Sequence, residues 1–264
     1  MKKNAPSLQR QMSLIILLCW LLPMVTVATV MAWYLLSGTG RQKEQAMTEQ
    51  FQLNLQLGAD RLNSAVEASR LSSYDPELQK AWDQYCRDDG YPLLYRRVSA
   101  LLNRLYQSDS RFLYGVFCFA DDPENRTITV VNGSSGLLYH QARELWQADA
   151  SPILAMAMEL DTTVGFWAQD GRLYLVRNLM DSSYDRIGTL SLVLDTDYFF
   201  GDLALLPWVS AVSVSLAPQA ALTLKGEIPF QPRERILEHT IRDRDYTLYG
   251  TAAWDYAALN TGAE

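Results

Sequence analysis

The chain has 264 residues, of which 48% are hydrophobic and 20% are charged, with a formal net charge of −7. Residues 41–264 carry 20 of the 23 Lys and Arg and all 30 Asp and Glu, so this part has a formal charge of −10. Such an acidic surface argues against nucleic acid as a partner, because that binding depends on Lys and Arg at phosphates.

The N-terminal segment has the composition of a membrane span. Residues 14–36 are almost entirely apolar, and no charged residue occurs between positions 11 and 40. A bilayer core of about 30 Å needs roughly 20 such residues in a helix. We therefore predict residues 1–12 as a cytoplasmic N-terminus and residues 13–37 as a transmembrane helix.

The alternative is a cleaved signal peptide with Lys2, Lys3 and Arg10 as its basic region. The apolar stretch is longer than the roughly 7–15 residues of a signal peptide, and no Ala-x-Ala pattern follows it. The same three basic residues favour a cytoplasmic N-terminus. We expect a single-pass protein of the plasma membrane, with residues 41–264 outside the cytoplasm.

Residues 38–106 have the pattern of helices. Residues 41–72 carry one apolar stripe at helical spacing, which either packs against the chain's own sheet or against a second copy. Asp75-Pro76 predicts the start of a second helix, with Asp75 as N-cap, and a third helix is predicted over residues 93–106. The homodimer alternative would use the stripe on the first, juxtamembrane helix.

Residues 107–207 alternate between strands and helices. Strands are predicted over residues 112–119, 127–131, 163–168, 173–179 and 187–194, and Asp170-Gly171 indicates a hairpin. Residues 139–160 have helical composition, interrupted at Ser151-Pro152, and a short helix follows Asp195. This order predicts an α+β fold with a PAS-like antiparallel sheet, crossover helices and a pocket between them.

Residues 208–264 repeat this pattern in a smaller β-rich unit that we place near the membrane. Strands are predicted over residues 209–217, 222–225, 236–241 and 246–252, with a closing helix over residues 254–259.

The chain offers few groups for catalysis. His140 and His239 are its two histidines, and it contains neither a phosphate-binding loop nor a Gly-x-Ser-x-Gly motif. The acidic pairs Asp88-Asp89 and Asp121-Asp122 have the sequence context of solvated loops. We predict no enzymatic activity, no metal and no cofactor.

Three cysteines occur, and Cys19 lies in the predicted span. Cys86 and Cys118 could form a disulfide in an oxidising compartment, which would contribute about 3 kcal/mol by closing a loop of some thirty residues. The alternative is that both are small buried hydrophobic residues.

Several stretches resemble the Cache-type sensor regions of bacterial transmembrane receptors, and particularly the sensor half of YesM-type histidine kinases. The resemblance is carried by the long helix after the span, by the strand–loop–strand run from Leu173 to Asp195, and by the aromatic residues Tyr198–Phe200, Tyr246–Tyr249 and Trp254. It implies an extracytoplasmic ligand-sensing domain in two-component signalling, and a nutrient cue that is often carbohydrate-related.

Two features depart from that family. The family implies a second span and cytoplasmic kinase modules, so we expect either a piece of a longer receptor or a sensor without its own output. Amino-acid-sensing Cache domains use an Arg and a Trp-Tyr pair in the crossover helix, whereas this chain has Arg143 at a different offset and Gln147 in place of the Tyr. A chemoreceptor and an anchored binding or assembly protein are the alternative functions.

A pocket in this fold would be lined by the crossover helix and the central strands. Aromatic faces with one or two Arg could hold a sugar ring or a small organic acid outside the cell. The predicted ligand-binding residues are Tyr139, Arg143, Trp146, Phe166, Trp167 and Arg177.

Overall fold

The computed structural model describes residues 8–88, 90–120, 122, 126–160, 164–217, 220–226 and 234–255. The chain forms two compact units, Met1–Gln50 and Phe51–Glu264. The first unit consists largely of the N-terminal part of one long helix, α1 (Leu8–Leu71), and the rest of this helix belongs to the second unit. Within α1, Ile16–Tyr34 is long and apolar enough to cross a membrane, with a mean hydropathy of 2.1.

The second unit is α+β with two antiparallel sheets, which confirms the predicted fold class. After α1 and a short 3-10 turn, its helices are α2 (Pro76–Asp88), α3 (Tyr91–Tyr106), α4 (Tyr139–Met158) and α5 (Thr196–Ala204). The strands of the first sheet are β1 (Phe112–Phe119), β2 (Thr127–Val131), β3 (Val164–Gln169), β4 (Arg172–Met180) and β5 (Arg186–Leu194). Those of the second sheet are β6 (Ala211–Leu216), β7 (Ala220–Lys225), β8 (Glu234–Arg242) and β9 (Thr247–Asp255).

The first sheet has the order β2-β1-β5-β4-β3, so the nearly continuous apolar strand β5 lies at its centre. Helix α4 connects β2 to β3 and covers one face. The β3–β4 hairpin turns at Asp170 and Gly171. Their φ angles, 49° and 75°, are both positive, as a two-residue Asp-Gly turn of type I′ requires. The predicted order of strands and the predicted hairpin are therefore confirmed.

The stripe on α1 packs within its own chain. Phe51, Leu55, Leu62 and Val66 are buried. The hydroxyl of Tyr246, just before β9, donates to the Ala59 carbonyl at 2.9 Å. This outcome confirms the intramolecular alternative for these residues. The second helix begins as predicted, because the Asp75 carboxylate accepts hydrogen bonds from the backbone N–H groups of the first turn of α2.

Two predicted boundaries are wrong. Helix α4 is continuous through Pro152, because buried side chains on both sides of the proline, Asp149 and Ile153, hold the helix on the sheet and outweigh the lost hydrogen bond. No helix begins at Trp254, which is fully buried in β9 opposite Arg235, and residues 256–264 lie outside the described part.

Candidate functional site

A cavity of about 530 Å³ lies between α4 and the first sheet, where the sequence predicted a pocket. This volume is within the usual range for small-molecule sites, roughly 300–1,000 Å³. Helix α4 forms one wall, and the end of β1, the segment that follows it and the start of β5 form the others. The apolar part of the lining includes Cys118, Phe119, Trp146, Ala150, Leu154 and Met158.

Helix α4 presents a mixed surface to this cavity. Trp146, Ala150 and Leu154 follow one another at intervals of four residues, so they lie on one side of the helix. Trp146 is only 3% exposed, and its ring lies 6.5 Å from that of Tyr174 on β4. Arg143, one turn before Trp146, adds a guanidinium group to the same wall.

A buried polar network fixes α4 on the sheet beside the cavity. The Asp149 carboxylate is fully buried and accepts from Arg172 Nε at 2.9 Å and from Arg172 Nη2 at 3.1 Å. It also accepts a hydrogen bond from the Tyr174 hydroxyl, which lies 3.1 Å from the Tyr114 hydroxyl. Burial and the bond to Asp149 raise the pKa of Tyr174 well above its usual value, so this hydroxyl keeps its proton as a donor.

At the end of β1, the Asp122 carboxylate is almost completely enclosed, with 2% of its side chain exposed. Arg126 Nη2 donates to it at 2.6 Å, and the backbone N–H of Arg126 donates at 2.6 Å. The Arg126 guanidinium in turn lies 3.5 Å from the centre of the Tyr91 ring on α3. The interpretation of Asp122 as a solvated loop residue is therefore wrong, because Arg126 neutralises it inside the wall.

Two further guanidinium groups line the cavity without a carboxylate partner in the described part of the chain. Arg143 has no side-chain hydrogen bond or ion pair there, and Arg186 donates to the thioether sulfur of Met158. A thioether is a weak acceptor that carries no charge. The described lining therefore carries three cationic groups and one anionic group.

A second cavity, of about 700 Å³, lies on the other side of the first sheet, between the end of α1, α2 and the β4–β5 loop. Arg177 borders it but is 2% exposed, because its guanidinium donates to Ser69 Oγ at 2.8 Å and to the Val66 carbonyl at 3.2 Å. Burial, followed by the nearby charge of Arg70, lowers the pKa of Arg177.

The structure separates the six predicted ligand-binding residues. Arg143 and Trp146 line the first cavity. Trp167 faces the same side of the sheet but packs against the apolar cluster under α4, and Tyr139 is 53% exposed at the start of that helix. Phe166 and Arg177 face the opposite side: the Phe166 ring packs 5.4 Å from that of Tyr246, and Arg177 bonds α1.

The first cavity is also lined by four residues that were not among the predicted ligand-binding residues, Asp122, Arg126, Arg186 and Thr189. Their signal was weak, since the first two belong to a polar turn and the others to the start of an apolar strand. Across the described residues, no group of three His, Cys, Asp or Glu side chains is placed to hold a metal.

Cys86 and Cys118 are free thiols in the structure. Cys86 is exposed on α2, whereas Cys118 is buried on β1 in the apolar cluster beneath α4. The structure does not form the disulfide considered from the sequence, because the two residues belong to environments of opposite polarity. Burial raises the pKa of the Cys118 thiol to about 12, as expected of a small hydrophobic residue.

No family model matches this chain, and no curated protein sequence matches it. Among solved structures, it is similar to the periplasmic sensory domain of the Campylobacter jejuni chemoreceptor Tlp1, with a TM-score of 0.48 and 7% identity over 79% of this chain and 96% of that chain. It is also similar to the extracellular domain of the putative histidine kinase vpHK1S-Z8, with a TM-score of 0.43 and 11% identity over 83% of this chain and 93% of that chain.

A third similar structure is the ligand-binding domain of the Pseudomonas fluorescens chemoreceptor CtaA in complex with L-isoleucine. Its TM-score is 0.41, with 10% identity over 78% of this chain and 91% of that chain. All three similarities are distant, so the ligands and signalling roles of those domains belong to those proteins alone.

Proposed function

We propose that this chain is the extracytoplasmic ligand-sensing part of a membrane receptor, and that the cavity between α4 and the first sheet binds a small molecule. The observation that carries the proposal is the cavity itself. It combines an apolar wall on α4 with a few charged groups, which is the usual composition of a ligand site.

The proposed membrane anchor is the apolar part of α1. Ile16–Tyr34 has the length and hydropathy of a span, and all of its side chains are exposed in the structure. A signal sequence would have the same two properties. We propose a retained single-pass anchor with a cytoplasmic N-terminus, because the apolar stretch is longer than that of a signal peptide.

Strand β4 supplies a physical link between the cavity and α1. Thr189, in the cavity lining, donates to Asn178 Oδ1 at 2.9 Å, and Asn178 Nδ2 donates to the Ala157 carbonyl of α4 at 2.6 Å. The preceding residue of β4, Arg177, points to the opposite face and donates hydrogen bonds to α1. We propose that a ligand favours one packing of α4 and β4, and that Arg177 passes this preference to α1.

The direct test is thermal unfolding of the full chain in detergent, with sugars, amino acids and organic acids added in turn. A ligand at 100 times its Kd would stabilise the chain by about 2.7 kcal/mol, which raises the Tm by several degrees. Ala150→Leu adds volume inside the cavity and is expected to abolish that increase.

Ala155→Leu is the matched control, because Ala155 lies on the exposed side of the same helix. It should leave the ligand-induced increase unchanged. If no compound raises the Tm, or if both variants respond equally, the cavity is not the sensing site and an anchored binding protein becomes the better hypothesis.

The finer parts of the proposal are a YesM-like two-component output and a homodimer formed through α1. Leu53 on α1 is 70% exposed, so it offers a site for a crosslink between copies. In a background with Cys19→Ser and Cys86→Ser, which removes the two exposed native thiols, Leu53→Cys should form a disulfide-linked dimer on mild oxidation. Cysteine at the equally exposed Leu205 should not, and equal yields from both positions would contradict a dimer through α1.

A further inference from the structure

We infer that the cavity between α4 and the first sheet selects an organic anion, with Arg143 and Arg186 as the residues that determine this specificity. The inference rests on the proposed ligand-sensing function and adds the chemical class of the ligand. It follows from the charges that line the cavity and from the partners these charges already have.

The carboxylate of Asp122 is not available to a ligand. Two nitrogens of the Arg126 side chain and the backbone N–H of Arg126 donate to it, and 2% of its side chain is exposed. This pair is electrically neutral, and the contact of Arg126 with the Tyr91 ring fixes it in place. The pair therefore contributes shape to the wall but no net charge.

Arg143 and Arg186 contribute two positive charges that the described side chains leave without a carboxylate. They lie in a segment whose formal charge is −10, so the excess of cationic groups in this lining is opposite in sign to the net charge of the segment. Arg143 is exposed and Arg186 is partly buried. A guanidinium group binds a carboxylate through short, charge-assisted hydrogen bonds, often two at once. A neutral ligand would compensate neither charge, whereas a carboxylate would compensate one of them.

The positions of the two guanidinium groups limit the shape of the ligand. Arg143 is the first cavity residue of α4, and Arg186 contacts Met158, which is the last. Fifteen residues of helix separate these ends by about 22 Å, and the wall between them includes Ala150 and Leu154. We therefore expect the carboxylate of the ligand at one end of this wall and its apolar body along α4.

The test compares matched anionic and neutral compounds on the full chain in detergent at low ionic strength. The pairs are benzoate with benzamide, 4-methylpentanoate with 4-methylpentanamide, and galacturonate with galactose. In at least one pair we expect the anion to raise the Tm and to bind at least ten times more tightly than its neutral partner. Leucine should bind more weakly than 4-methylpentanoate, because Asp122 is already bound by Arg126 and cannot pair with the ammonium group of leucine.

Arg143→Gln and Arg186→Gln identify the groups responsible. At least one of them should weaken anion binding tenfold or more without lowering the Tm of the ligand-free protein, because each removes a charge that no described carboxylate stabilises. Arg96→Gln is the control, since Arg96 is exposed on α3, has no described ion-pair partner and lies outside the cavity lining. It should bind the anion like the unaltered chain.

The outcomes separate this inference from the proposed function. Neutral compounds that bind as tightly as the anions, or anion binding that survives both Gln substitutions, would overturn the anion specificity and leave ligand sensing intact. If none of these compounds binds while a neutral compound of the wider panel raises the Tm, the anion specificity alone is overturned. If no compound of either panel binds, both are refuted.

Discussion

Tyr174→Phe tests the buried network that holds α4 beside the cavity. The substitution keeps the ring and its packing against Trp146, and it removes one hydroxyl group. That hydroxyl donates to Asp149 and lies 3.1 Å from the Tyr114 hydroxyl, so its loss alters two interactions in a region without solvent exposure.

The expected loss of stability follows from the hydrogen bonds that Asp149 keeps after the substitution. Asp149 keeps both hydrogen bonds from Arg172, so its charge stays compensated and the larger cost of an unpaired buried ion, about 3–5 kcal/mol, does not apply. One lone pair of the carboxylate loses its donor, and a hydrogen bond to a charged group is worth about 1.5–3 kcal/mol. We therefore expect the free energy of unfolding to fall by about 2 kcal/mol.

The measurement is urea unfolding of the full chain in detergent, followed by near-ultraviolet circular dichroism. Tyr139→Phe is the matched control, because Tyr139 lies on α4, the helix that the network holds, and is 53% exposed. Its substitution should change the midpoint negligibly. A loss below about 0.5 kcal/mol for Tyr174→Phe would mean that the hydroxyl adds nothing to the network, and that packing alone positions α4.

Three further predictions concern other parts of the fold. Burial raises the pKa of Cys118 to about 12 from an ordinary value near 9, so its contribution to stability is complete below pH 9 and is lost as the pH rises towards 12, at up to about 1.4 kcal/mol per pH unit. Buried tyrosines such as Tyr106 and Tyr246 add to the decline above about pH 10. Urea unfolding of Cys118→Ala should therefore show a smaller decline between pH 9 and 10, and an identical pH profile would refute the assignment. Gly188→Ala would place a methyl group against the Cys118 carbonyl oxygen and 2.5 Å from the Phe117 ring, and it should cost about 2 kcal/mol or more in the same assay. Gly133→Ala, which has open space, should cost little. Arg177→Met removes the side-chain hydrogen bonds from β4 to α1, so amide exchange in the last turns of α1 should accelerate, and unchanged exchange would exclude Arg177 as the connection.

Much of the fold was predictable because its signals are local. The Asp-Gly turn, the Asp75-Pro76 helix start and the uninterrupted apolar run of β5 each depend on a few neighbouring residues. The two boundary errors arose where tertiary packing overrides local preference. Pro152 stays inside a helix because the residues around it are buried on the sheet, and Trp254 stays in a strand because its ring is enclosed.

The candidate site was predictable only in part, because it depends on contacts between distant segments. The periodicity of α4 identified Arg143 and Trp146, which line the cavity. It could not identify Arg186, whose position depends on the register of β5 beside β1 and β4. The burial of Asp122 likewise follows from its pairing with Arg126, and nothing in the composition of a polar turn indicates this pairing.

Strand β4 explains why only part of the predicted set lines the cavity. Successive side chains of a strand point to opposite faces, so Asn178 faces α4 and Arg177 faces α1, although the two are neighbours in sequence. The same alternation separates Trp167 from Phe166 on β3. One face of the sheet thus borders the candidate ligand site, and the other holds the helix that would report its occupancy. A ligand that shifts β4 by a fraction of an ångström would act on both faces at once, because the same strand backbone carries both side chains.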